Sequence, residues 1–84
     1  MKNVNVEDII KILNDNKPGL DYKNETALLD DGLIDSLYLI KIIKKIENYY
    51  SLRFDVNRFE KSDFNSAKDI ARLIQRFIND EVES

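Results

Sequence analysis

Leu39, Ile42, Ile43, Ile46, Tyr49 and Tyr50 recur at intervals of three and four residues. That spacing gathers all six on one side of a helix and would scatter them over both faces of a strand. Isoleucine favours strands, yet the pattern holds over a run too long for a typical one. Leu37 and Ile40 widen the stripe. An amphipathic helix of this kind is stable only against other apolar faces, so the rest of the chain has to supply them. Val6, Ile9, Ile10 and Leu13 form one such face, behind a candidate Asn5 cap and with Glu7 and Asp8 in the first turn. Asn14-Asp15-Asn16-Lys17-Pro18-Gly19 closes that helix. Ala67, Ile70, Ala71, Leu73, Ile74, Phe77 and Ile78 form another, which Asn65 or Ser66 is placed to cap. Asp35 occupies the cap position of the central helix, immediately before Ser36.

The connections are less regular. Pro18, Gly19 and Gly32 are the chain's only proline and glycines, and all fall in or beside a segment from Asn16 to Asp35 without a clean period. So long a connection in a small domain has to be anchored or functional. Leu20, Tyr22, Leu28, Leu29, Leu33 and Ile34 can anchor it across the helices, with one helical turn expected at Thr26–Leu29. After Tyr50, Leu52 and Phe54 can turn inward, Asp55 starts a short helical turn through Phe59, and Glu81-Val82-Glu83-Ser84 is expected to fray. The expected fold class is all-α: a small four-helix bundle, three main helices plus one short helix, with a long ordered loop between the first and second. At 84 residues the chain suits one domain, residues 1–84. About a dozen large apolar side chains, at roughly 1.5–3 kcal/mol each, can offset most of its chain entropy.

What the chain lacks narrows its chemistry. It has no cysteine, so disulfides, thiolate ligands and thiol nucleophiles are excluded. It has no histidine, the commonest general base and metal ligand. Ser36 could act alone as a nucleophile only with a lysine as base, and the lysines read as solvated. The expectation is that the chain is not an enzyme. Asp30, Asp31 and Asp35 lack the alternating ligands and closing glutamate of a calcium loop, so no metal is expected. A net charge of −3 disfavours nucleic acid. No apolar run approaches the roughly 18 residues of a membrane helix, and the start does not read as a signal peptide. The expected location is the cytoplasm, and the Asn24-Glu25-Thr26 match to a glycosylation site reads as chance.

The segment Asp31-Gly32-Leu33-Ile34-Asp35-Ser36-Leu37 carries the functional reading. It sets a serine hydroxyl in the first turn of the longest helix, where backbone N–H groups lack intrahelical partners and the dipole is positive. A phosphodiester on Ser36 would be welcome there. Gly32 can supply a tight bend, while Leu33 and Ile34 pin the loop so that Ser36 faces outward. Read alone, the Asp35-Ser36 pair is an ordinary helix cap, with Leu33, Ile34 and Leu37 as core. The wider run Leu28-Leu29-Asp30-Asp31-Gly32-Leu33-Ile34-Asp35-Ser36-Leu37 resembles the attachment site of acyl and peptidyl carrier proteins. Phe64-Asn65-Ser66-Ala67-Lys68-Asp69-Ile70-Ala71-Arg72-Leu73-Ile74 is similar to that family's last helix, and with the first helix and the loop the likeness covers nearly the whole chain.

The resemblance implies an acyl carrier whose Ser36 receives a 4'-phosphopantetheine arm from coenzyme A, through a phosphopantetheinyl transferase that requires magnesium. The arm's thiol carries an acyl or aminoacyl group as a thioester, so the missing cysteine is no obstacle. Asp35 carries over as the acidic neighbour that helps the transferase engage, and Leu37 as an apolar docking residue. The implied partners are that transferase and acyl- or aminoacyl-activating and transferring enzymes, met by a monomer.

Fatty acid carriers of bacteria usually bear acidic residues along the second helix. Here that helix has Lys41, Lys44 and Lys45, with Glu47 its only acid, while Asp21, Glu25, Asp30, Asp31 and Asp35 lie upstream. Charge complementarity mainly sets partner choice and encounter rate. The pattern looks more like stand-alone carriers of amino acids, such as D-alanyl carriers, or a free-standing peptidyl carrier. D-alanyl carriers typically have Met and Gly after the serine, where this chain has Leu37 and Tyr38. Tyr38 reads as cover for the bundle's edge ahead of a partner contact, and the three lysines as either a solvated face or a docking patch. The rival readings are a carrier-like interaction module without the arm and a regulatory phosphosite at Ser36.

Overall fold

The computed structural model describes residues 3–54 and 59–83, with side chains through Asp80. Three α-helices carry the fold: α1, Val6–Asn16; α2, Ser36–Tyr50; and α3, Ala67–Glu83. A 3₁₀ turn, Lys61–Phe64, precedes α3, and no strand occurs among the described residues. The helix starts follow from local chemistry. Asn5 accepts from the Glu7 N–H at 3.0 Å, Asp35 from the Tyr38 N–H at 2.8 Å, and Ser66 from the Asp69 N–H at 3.0 Å. Each side chain satisfies a donor that a helix start leaves unpaired. At its other end α2 stops on Ser51, which takes the left-handed conformation with φ of 55°.

Both α2 and α3 pack on α1, and the 3₁₀ turn packs on α3. Ile9 and Leu13 from α1, Ile42 and Ile46 from α2, and Ile70 and Ile74 from α3 are fully enclosed, joined by Leu28 and Ile34 from the α1–α2 connection. Leu52 is buried and Phe54 half-buried, so the connection after α2 turns inward as expected. There Phe54, Phe59, Phe64 and Phe77 form an aromatic cluster, with ring centroids 5.1 Å (Phe54–Phe77) to 5.8 Å (Phe54–Phe59) apart. Such tilted and edge-on pairs add to the area they bury. The chain's start is tied down as well, because the Val4 N–H donates to Gln75 of α3 at 2.9 Å.

Several expectations need correction. Leu37 and Ile40 do not widen the buried stripe; they are 79% and 55% exposed. At about 100° per residue Leu37 lies on the side of α2 opposite Ile46, so the same rotation that buries one exposes the other. Tyr49 also stays outside, its ring edge-on to Tyr50 at 4.8 Å. Ile43 is half-buried rather than core. Helix α3 runs on through Glu83 instead of fraying at Glu81. The turn expected from Asp55 lies outside the described residues, apart from Phe59.

Candidate functional site

Residues 17–35 bring the chain from the end of α1 to Ser36 through two turns. In the first, the N–H groups of Asn24 and Glu25 both donate to the Asp21 carbonyl. In the second, Asp31 donates to Ala27 at 2.8 Å, Gly32 to Leu29 at 3.0 Å, and Leu33 and Ile34 both to Leu28. The helical turn thus runs from Ala27 to Asp31, slightly later than expected. Gly32 sits there at φ of +71°, a conformation that side-chain-bearing residues rarely adopt. No neighbour would touch an added Cβ at Gly32, so its backbone angle and not lack of space calls for glycine. Ile34 is buried and Leu33 half-buried, and together they fix the chain just before the serine.

A residue that sequence reasoning assigned differently does much of the anchoring. Asn65, a candidate cap, is buried, and its side chain faces the loop. Its Oδ1 accepts from the N–H groups of Leu29 (3.0 Å) and Asp30 (3.1 Å), and its Nδ2 donates to the Asp30 carboxylate at 3.1 Å. Its carbonyl accepts from the Leu28 N–H at 2.9 Å. Ser66 is the cap instead. An adjacent pair of small polar residues ahead of an apolar stripe was the available signal, but its loop partner lies 35 residues away.

Ser36 is the first residue of α2 and is exposed, as is Asp35 before it. Because Asp35 satisfies the Tyr38 N–H, the remaining donors of that turn and its positive dipole end stay near Ser36. Beside the serine lies a groove of about 230 Å³, walled by Leu39, Ile40, Ile43, Phe59 and Phe64, with Glu60 and Lys61 at its edge. Its walls are almost wholly apolar. The partly exposed flank of α2 (Ile40, Ile43) and two members of the aromatic cluster therefore meet next to the hydroxyl. Leu37 projects free on the other side.

Tyr38 is not a free contact residue. It is half-buried, its hydroxyl donates to the Leu13 carbonyl at 2.9 Å, and it lies 3.3 Å from the Tyr22 hydroxyl. Burial, and then the Tyr22 contact, push its phenol well above the ordinary tyrosine value. Lys41, Lys44 and Lys45 are exposed along α2, and no carboxylate among the described residues is within ion-pairing distance of them. Asp30, Asp31 and Asp35 stand exposed on the approach to Ser36. Among the described residues, no group of three acidic side chains is placed to hold a metal, and no helix is long and apolar enough to cross a membrane.

Comparison with known proteins gives a consistent likeness. The D-alanyl carrier protein of Streptococcus sanguinis (strain SK36) is 31% identical over 52 residues, 62% of this chain and 66% of the relative. The D-alanyl carrier protein of Streptococcus gordonii (strain Challis) matches to the same extent. That of Streptococcus uberis (strain 0140J) is 29% identical over 59 residues, 70% of this chain and 73% of the relative. The match spans just under two thirds of the first two relatives' length. No protein-family model matches the chain, and no solved structure matches it.

Proposed function

We propose that the chain is a stand-alone carrier protein like the D-alanyl carrier proteins it resembles, and that Ser36 is the attachment point of a 4'-phosphopantetheine arm. The carrying observation is the coincidence of the Asp31–Leu37 motif with an exposed hydroxyl in the first turn of α2. The surroundings fit such a group. A phosphodiester on Ser36 Oγ would meet the positive end of α2 and its unpaired N–H groups, and the groove beside it offers apolar wall to a chain leaving the phosphate.

When bound, the arm supplies a thiol that holds an acyl or aminoacyl group as a thioester. The chain is not itself an enzyme; its residues present and orient. In the loading step a Ser36 Oγ–phosphorus bond forms, the pyrophosphate bond of coenzyme A breaks, and adenosine 3',5'-bisphosphate leaves. The serine proton passes to a base of the phosphopantetheinyl transferase, since this chain has no histidine to accept it. Asp35 holds the helix start and keeps a negative charge beside the hydroxyl. Leu37 offers an exposed apolar contact to the docking enzyme.

The cargo is an acyl or aminoacyl group, and the D-alanyl group of the relatives is the first to test. The lysines of α2 favour activating and transferring enzymes with acidic docking faces over those built for an acidic carrier helix. The reading makes residues 1–84 one carrier domain, acting as a monomer in the cytoplasm, where coenzyme A is available.

The test is intact mass after incubation with coenzyme A, magnesium and a broad-specificity transferase. Wild type should gain one arm, and Ser36→Ala should gain none while keeping its helical circular dichroism. An unchanged wild-type mass across several such transferases would leave the interaction-module reading in its place.

A further inference from the structure

The C-terminus of α1 fastens the chain on both sides of Ser36. A helix end leaves its last carbonyls short of partners; at the end of α1 the Leu13 carbonyl accepts from the Lys17 N–H at 2.9 Å, and side chains supply further donors. Asn16 Nδ2 turns back to the Ile12 carbonyl at 2.8 Å. The Tyr38 hydroxyl takes the Leu13 carbonyl at 2.9 Å, and the Tyr22 hydroxyl takes the Lys17 carbonyl at 2.5 Å. Each phenol has one proton. With both protons directed at the carbonyls of Leu13 and Lys17, the 3.3 Å approach of the two hydroxyls is a close contact that the carbonyls hold together. The Lys17 ammonium then reaches back over the loop, donating to the Leu33 carbonyl at 2.5 Å with the Tyr38 ring 5.8 Å beneath it.

The consequence is geometric. Leu33 lies three residues before Ser36 and Tyr38 two after it, and both are held by the same helix end. Asp35 is linked within this bracket by its own bond to the Tyr38 N–H. We infer that Lys17 and Tyr38 are positioning residues for the modification of Ser36. They form a clasp that fixes the serine's segment so that the hydroxyl meets an incoming phosphorus in one orientation. The inference rests on the reading of Ser36 as the attachment point. It assigns Tyr38 a role that the exposed face of α2 does not share, because the bonds of the clasp are made by Lys17, Tyr22 and Tyr38 and not by Leu37, Lys41 or Lys44.

Loss of orientation should show in the turnover of the modification step and not in docking, since the docking face is untouched. With a broad-specificity transferase and coenzyme A, Lys17→Met and Tyr38→Phe should each lower kcat, and together lower it on the order of tenfold to a hundredfold, at unchanged KM for the carrier. Lys17→Arg keeps a donor and should restore the rate. Amide hydrogen exchange should quicken at residues 33–36 in both variants while the α3 amides keep wild-type protection, which separates a loosened clasp from a loosened fold. Wild-type kcat in the double variant, or failure of Lys17→Arg to recover it, would overturn the clasp with the attachment site left standing. A wild-type protein that accepts no arm would remove the attachment site itself, and this proposal with it.

Discussion

A buried asparagine amide needs hydrogen-bond partners, and Asn65 finds two for its oxygen and one for its nitrogen on the loop that leads to Ser36. Asn65→Ala leaves the N–H groups of Leu29 and Asp30 without that acceptor. The expected loss is about 1–3 kcal/mol in urea unfolding, together with faster exchange at residues 29–31. A loss under a few tenths of a kcal/mol would show that water replaces the amide at no cost. Tyr38 gives a second test, in pH. Burial first, and the Tyr22 hydroxyl second, raise its phenol above the ordinary 10.0. The folded state therefore keeps a proton that the unfolded chain releases. Its contribution to stability is whole below pH 10 and is lost as pH climbs above that value. Tyr50, raised mainly by burial and further by Asp8 and Tyr49, works in the same direction. Stability should hold up to about pH 10 and fall as pH rises beyond it, and Tyr38→Phe should flatten that fall. An unchanged slope in the variant would mean that the phenol ionises freely in the folded protein.

At the scale of elements, periodicity carries far and then stops. The stripes of α1, α2 and α3 and the caps Asn5 and Asp35 were legible because each depends on residues within a turn of one another. Which edge of a stripe goes under was not, since Leu37, Ile40 and Ile43 satisfy helical spacing as well as Ile42 and Ile46 do. Only the placement of α1 and of the aromatic cluster decides among them. The Asn65–Asp30 and Tyr38–Leu13 bonds join positions 35 and 25 residues apart, where local pattern has nothing to say. The exposed Ser36 was legible for the opposite reason, because a cap, a bend and a helix start are all local. This ordering along α2 is measurable. Ile46→Ala removes a fully enclosed side chain and should cost about 2–5 kcal/mol through the cavity it leaves. Ile43→Ala opens onto the groove and should cost clearly less, and Ile40→Ala close to nothing. Equal losses at Ile43 and Ile46 would mean that the groove is closed core in solution.

Over the whole molecule, a net charge of −3 hides a division with Ser36 at its boundary. Asp30, Asp31 and Asp35 lie on the loop side, and Lys41, Lys44 and Lys45 along the exposed side of α2. Paired surface charges would contribute little either way, but these lysines have no carboxylate partner among the described residues. Their field is therefore open to an approaching protein. A partner that contacts Leu37 and the serine must also cover Lys41 and Lys44, which share that side of the helix one and two turns on. Opposite charge there speeds encounter, and like charge slows it. Reversing Lys44 and Lys45 to Glu should leave the urea midpoint nearly unchanged, because both side chains are exposed. The same double variant should lower kcat/KM for loading by the cognate activating enzyme, mostly through encounter. The difference from wild type should shrink as salt rises and the screening length falls below roughly 10 Å. A variant loaded at the wild-type rate in low salt would show that the partner approaches from the acidic loop instead. The lysines would then be a solvated face, and recognition would fall to Asp30, Asp31 and Asp35.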